Sequence, residues 1–191
     1  CFLILSGFLM YYNYGDNVEE TQYYFWDNVR LAIKKVLKIY PLHCLTLLVA
    51  IPIYFNMARF DNVRHIVIWI FKLISNIVLL QSWVPKSEFY WSFNAVSWYL
   101  SLQLAMYFAF PYIRKRINRN TNNKRIGLSA FLIVIVQIVI SSLLISQSAR
   151  ISQIPLTISD DLTFYLTYIC PLYRLGDFYL GCIVGYFFVH K

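Results

Sequence analysis

Lys34, Lys35 and Lys38 fall within one short stretch, Ile33–Leu48, which reads IKKVLKIYPLHCLTLL. A Tyr-Pro step and an apolar run follow them. Ammonium groups packed this closely attract phosphate as point charges, so they suit a phosphorylated donor such as a coenzyme thioester. Lys35 and Lys38 are three apart, and Arg30 and Lys34 four apart, spacings that share a face if the segment is one helix. The same charges also work as a topological anchor, each worth about 1 kcal/mol of attraction to anionic lipid. The residues alone leave both readings open.

Other residues invite the same two-sided reading. Arg174 and Asp177 are three apart in PLYRLGDFYLGCIVGYFF. Ionisable groups inside apolar segments are functional candidates and usually pair with each other; a structural ion pair near the interface is the competing account. In FNAVSWYLSLQLAMYFAFP, Asn94, Ser97 and Ser101 are polar at a helix entrance and Trp98 is a large amphipathic ring. They fit a pocket mouth for an acceptor hydroxyl, or an N-cap beside an aromatic belt. Gln103 in the same helix needs a partner and so faces protein or a cavity. His43 is a general-base residue type, but it has no placed carboxylate or nucleophile and is read as structural. Gly181 and Gly185 form GxxxG, a spacing for close helix approach rather than for a ligand.

The elements that must position these groups are membrane spans. Of 191 residues, 59% are hydrophobic and 14% charged, whereas soluble domains average about 25% charged. Leu42–Met57, Val96–Ile113, Ile126–Ile145 and Leu162–Val189 approach the roughly 20 apolar residues that a spanning helix needs. Basic residues gather at Arg30–Lys38 and in RKRINRNTNNKR after Ile113, which places both on the cytoplasmic side. Three apolar segments lie between them, where a return to the same side requires an even number. Val63–Leu80 carries Lys72 near its middle, at a cost of about 2.5–3.5 kcal/mol in an isolated span, and is expected to be re-entrant or interfacial. The expected fold is an all-α, polytopic transmembrane helix bundle with that one segment not crossing. Residues 1–12 read as the end of a span closed by YYNYGDN, and Arg150–Asp161 as the loop before the last span.

The net charge of +8 follows from these loops and carries no nucleic-acid signal, because no nucleic-acid-reading module accompanies it. Cys1, Cys44, Cys170 and Cys182 lack metal-ligand spacing and read as buried thiols, so neither a metal nor a disulfide is expected. No internal repeat, P-loop or hydrolase elbow occurs. Residues 1–191 are expected to form one membrane domain, cut at both ends from something longer.

Taken in order, FLILSGFLM, KIYPLH, LLQSWVP, FNAVSWYLSLQLAMYFAFPYIRKR and PLYRLGDFYLGCIVG resemble the acyltransferase family 3 membrane proteins. The resemblance implies a membrane enzyme that moves an acyl group, typically acetyl, from acyl-CoA to a hydroxyl of an exported or cell-surface carbohydrate. It implies no bound cofactor, with acyl-CoA (acetyl-CoA) as donor substrate. Its partners would be the lipid bilayer and a glycan acceptor, and its place the plasma membrane of a bacterium. The family's paired basic motif, commonly two arginines before Tyr-Pro, matches Lys35 and Lys38; lysine keeps point-charge attraction and loses bidentate phosphate recognition. Ser97, Trp98, Leu100 and Ser101 match its SWxLS element, with Asn94 at the usual upstream position, and Arg174 and Asp177 lie in its late arginine-containing segment. Many members carry Glu where this chain has Gln103. The family's catalytic histidine belongs to a span before SGF, so no catalytic residue is assigned here, and the fragment is expected to be inactive alone. A transporter or flippase, or a non-catalytic membrane sensor or scaffold, are the alternative classes.

Overall fold

The computed structural model describes residues 2–15, 25–58, 60–120, 122–151 and 158–190. Among them there are helices and turns and no strand. Most of the YYNYGDN patch after Tyr14 and much of the loop before Asp161 lie outside the described residues. Three stretches are long and apolar enough to cross a membrane: Tyr40–Met57, Asn123–Ser146 and Asp161–Val189.

Helices α1 (Phe2–Tyr14) and α9 (Pro171–Val189) form the most extensive helix contact. Glycine makes it possible. A Cβ at Gly181 would collide with the Ile4 carbonyl, one at Gly7 with the Phe178 carbonyl, and one at Gly185 would stand 3.0 Å from the Phe8 carbonyl oxygen. Lipid tails are as apolar as side chains, so close van der Waals approach, not burial from water, holds such a pair. Tyr11, Phe178 and Cys182 are fully buried in this seam.

Helix α6 (Trp98–Asn118) packs against α9, α1 and α2 (Phe25–Val36), burying Leu102, Met106 and Phe110. Its 21 residues extend about 31 Å at 1.5 Å each. The sequence leads one to expect a span here, and the length suffices, but the composition falls short of the other three. The reason is its setting: α6 faces protein on several sides and ends in Arg114, Lys115 and Arg116, so it needs less apolar surface. Helix α7 (Asn123–Ile151) is the opposite case, with Ile126 buried near its start and the apolar stretch beyond it half-buried or exposed as far as Ser146. Gln137 Nε2 donates to the Tyr173 carbonyl at 3.1 Å, and Ser141 shares a hydrogen bond of 2.6 Å with the Tyr173 hydroxyl.

The basic entry to the second span is not one helix. Helix α2 ends at Val36, residues 37–39 turn, and α3 (Tyr40–Met57) begins anew. Pro41 explains the break, because it has no N–H for the Leu37 carbonyl and its ring crowds that group. Lys35 and Lys38 therefore do not share a continuous helix face, which corrects the sequence expectation.

Helix α4 (Val63–Ile77) runs back along α3: Tyr40 donates to the Ile77 carbonyl at 2.9 Å, and the Phe55 and Trp69 rings are 6.1 Å apart further along. Its 15 residues cover only about 22 Å, less than the roughly 30 Å of hydrocarbon. Lys72 does not face lipid alone; it pairs with Glu88 of the single-turn helix α5 (Ser87–Tyr90) at 3.0 Å. The last apolar stretch is also broken. Helix α8 (Ile158–Phe164) widens into a π turn over Tyr165–Ile169, and α9 restarts at Pro171. Proline biases Cys170 away from helical geometry, and the Cys170 N–H closes the wide turn on the Tyr165 carbonyl at 2.8 Å.

Candidate functional site

Lys35 stands on the last turn of α2 and reaches the end of α1. Its Nζ donates to the Tyr14 hydroxyl at 2.5 Å and lies 3.9 Å from the centroid of the Tyr14 ring. Arg114, near the end of α6, donates from Nη1 to the Tyr14 carbonyl at 2.8 Å. Asn118, one turn on, accepts from Tyr11 Oη at 2.5 Å and donates to the Gly15 carbonyl at 3.1 Å. The two basic clusters of the sequence thus meet at one place, the C-terminal end of α1, where cations also satisfy otherwise unpaired helix carbonyls. Lys34 and Lys38 are exposed nearby in sequence.

Lys35 lines a cavity of about 350 Å³ between α1, α2 and α6, with Asn13, Tyr14, Tyr99, Gln103 and Phe2 among its walls. Gln103 faces this cavity, as its polarity predicts, and contacts the Tyr99 hydroxyl at 3.4 Å. A second cavity of about 400 Å³ is lined by Trp98, Tyr168, Arg174 and Asp177. Phe2 and Tyr99, whose rings meet edge-on at 6.4 Å, line both. The two cavities adjoin, with the lysine on the first and the ion pair on the second.

The second cavity is held rigidly. Arg174 Nη1 is 2.7 Å from Asp177 Oδ2, and its Nε donates to the Tyr168 carbonyl at 2.9 Å. The guanidinium lies over the Tyr168 ring at 4.8 Å, and that ring meets Trp98 at 5.3 Å. Gln137 Nε2 occupies the other carboxylate oxygen, Asp177 Oδ1, at 3.1 Å. Both oxygens are engaged, so Asp177 is placed to orient Arg174 rather than to take a proton.

Asn94, Ser97 and Ser101 fall elsewhere. Ser97 and Ser101 are buried, and they tie α6 to the segment that follows α4. The Ser97 hydroxyl donates to the Asn94 carbonyl at 2.7 Å and lies 3.2 Å from Asn76 Oδ1. Gln81 Nε2 donates to the Ser97 carbonyl at 2.9 Å, and Ser82 donates to the Ser101 hydroxyl at 2.6 Å. Asn94 Nδ2 donates to Thr46 on α3 at 3.2 Å. Asn76 completes the network by donating to Ser92 at 2.7 Å, and His43 contacts its carbonyl oxygen at 3.0 Å. His43 is thus a buried tie between α3 and α4. Among the described residues no group of His, Cys, Asp or Glu could hold a metal.

Sequence reasoning passed over Tyr14, Tyr99, Tyr168 and Arg114. Aromatic residues are so frequent in this chain that nothing local separates a cavity wall from a lipid-facing ring. Asn76 carried a weak signal, as a polar residue inside an apolar run.

The sequence profile of a family described as an acyltransferase domain matches residues 1–191. The chain is also 34% identical over 110 residues to acyltransferase MdmB of Streptomyces mycarofaciens. That match covers 58% of this chain and 26% of the relative, so the chain spans about a quarter of the length of the curated relative. No solved structure matches the chain.

Proposed function

Because the chain belongs to acyltransferase family 3, we propose that its adjoining cavities hold the two substrates of acyl transfer from a coenzyme A thioester to a carbohydrate hydroxyl. The carrying observation is that Lys35 lines one cavity and Trp98, Arg174 and Asp177 line the other, with Phe2 and Tyr99 common to both. Residues far apart in sequence become neighbours along one side of α1.

In this reading the donor phosphates are drawn to Lys35, with the exposed Lys34 and Lys38 adding to the field. The acyl chain extends past Gln103 and Tyr99 along an apolar wall. The acceptor is a glycan hydroxyl beside Trp98, oriented by Arg174, whose own position Asp177 fixes. The hydroxyl oxygen forms the new ester bond to the acyl carbon, the carbon–sulfur bond breaks, and coenzyme A leaves as the thiol after the hydroxyl proton reaches its sulfur. The base that relays that proton is assigned to none of these residues. Holding both reactants in adjoining, partly apolar cavities supplies proximity and excludes water from the thioester.

Transfer of labelled acetyl from acetyl-CoA to a glycan fraction, measured in membranes, tests this. Lys35→Ala should raise KM for acetyl-CoA about tenfold, the scale of one charge-assisted contact, while Arg174→Ala should lower kcat with that KM unchanged. Variants that transfer as well as the parent would remove the reading.

A further inference from the structure

A third and larger cavity, about 620 Å³, lies outside this site, where the end of α3 meets the start of α4. Its size is that of ligand pockets, which combine apolar and aromatic walls with a few convergent polar groups. Tyr54 and Phe93 form one wall with ring centroids 4.8 Å apart, and Trp69 meets Phe93 at 5.7 Å. Trp69 Nε1 is buried with no acceptor among the described residues, an unspent donor of a kind folded proteins rarely keep. Four ionisable side chains line the same cavity: Arg64, His65, Lys72 and Glu88. Lys72 and Glu88 neutralise each other at 3.0 Å. Arg64 and His65 are exposed and form no ion pair among the described residues. The cavity therefore offers an aromatic corner, in which Trp69 stands edge-on to Phe93, beside the uncompensated Arg64 guanidinium and the His65 imidazole.

Its location sharpens this. Helix α3 has 18 residues, about 27 Å, and starts two residues after Lys38. Tyr54, Met57 and Ala58 line the cavity at its other end, so the cavity opens at the end of the span opposite the lysines.

We infer that this cavity is a binding site for an acidic sugar, meaning a sugar ring bearing a carboxylate or a phosphate. The ring's C–H face stacks on Trp69, with Phe93 and Tyr54 closing one side, and the anionic group is bound by Arg64 and His65. The inference rests on the acyltransferase reading only for its purpose, which is to gather glycan acceptor on the face opposite the donor.

Calorimetric titration of the protein in phosphatidylcholine nanodiscs tests it, with glucose 1-phosphate, glucuronate, glucose, inorganic phosphate and dihexanoyl phosphatidic acid as probes. Glucose 1-phosphate and glucuronate should bind, and glucose and inorganic phosphate should bind about tenfold more weakly. Arg64→Ala should weaken the acidic sugars by a similar factor. Glu88→Gln should tighten them about fivefold by freeing Lys72, a gain that misfolding cannot mimic. Equal binding of glucose, preference for phosphatidic acid over both sugars, no binding by the folded parent protein, or indifference to Arg64→Ala and Glu88→Gln would each overturn it. Protection of Lys35 by coenzyme A in the same discs reports on the acyltransferase reading separately; its loss alone would leave the sugar site standing.

Discussion

The Lys35 ammonium is held 2.5 Å from the Tyr14 hydroxyl and 3.9 Å from the centre of the same ring. One tyrosine at the end of α1 thus supplies both a hydrogen bond and a cation–π face to the lysine proposed to meet the acyl donor. Fixing a long, flexible side chain in advance lowers the entropy lost when the donor binds.

Tyr14→Phe keeps the ring and deletes the hydrogen bond. It should cost about 1 kcal/mol, a roughly fivefold rise in KM for acetyl-CoA, with kcat little changed. Tyr14→Ala, which removes both contacts, should raise KM further. Steady-state kinetics in membranes separate the two.

Gly181 admits no side chain while α1 stays where it is, because an added Cβ would meet the Ile4 backbone. Gly181→Ala should destabilise the protein by about 1–3 kcal/mol, the usual cost of overpacking. Gly127→Ala is the control, since nothing lies within 4 Å of a Cβ there. Thermal melts in detergent should show a loss for the first and none for the second.

Arg174 and Asp177 act as a unit at 2.7 Å. Arg174→Gln and Asp177→Asn should each lower turnover. The double variant should be no worse than the weaker single one, with a coupling free energy of about 1–3 kcal/mol in a double-mutant cycle. Additive losses would mean that Asp177 acts independently of Arg174.

Asn76 is fully buried, and its amide joins α4 to the start of α6 through Ser92 and Ser97. Asn76→Leu leaves those hydroxyls without one partner, at about 1–3 kcal/mol for each group stranded. The expected result is a lower melting temperature with donor protection of Lys35 retained at temperatures where the protein is folded.

How much of this was legible depended on range. Hydropathy sufficed for Tyr40–Met57, Asn123–Ser146 and the last stretch, because a helix exposed along most of its length, as α7 is, carries apolar side chains on most of its positions. GxxxG announced a close helix contact at Gly181 and Gly185, since only small residues permit it, but not that α1 makes it. Lys72 marked α4 as exceptional. Ser97 and Ser101 look the same in sequence whether they line a pocket mouth or a buried seam; their partners Asn76 and Ser82 lie about 20 residues away, and no local pattern names them. Lys35 and Lys38 are parted by Pro41, which the sequence displays as the Tyr-Pro step, whereas their three-residue spacing alone suggests one helix face. The meeting of Lys35 and Arg114 at Tyr14 depends on how α1, α2 and α6 cross, which no periodicity encodes.

The central claim is that the lysine cluster binds the acyl donor, and side-specific amine labelling read by peptide mass spectrometry tests it most directly. Acetyl-CoA added to folded protein in membranes should protect Lys35 and Lys38 from a label applied on the basic side, and leave the exposed Lys115 on α6 unprotected. In Lys35→Ala, protection of Lys38 should be lost at the same donor concentration. Equal labelling of Lys35, Lys38 and Lys115 with and without acetyl-CoA would contradict the account and return the cluster to the role of a topological anchor.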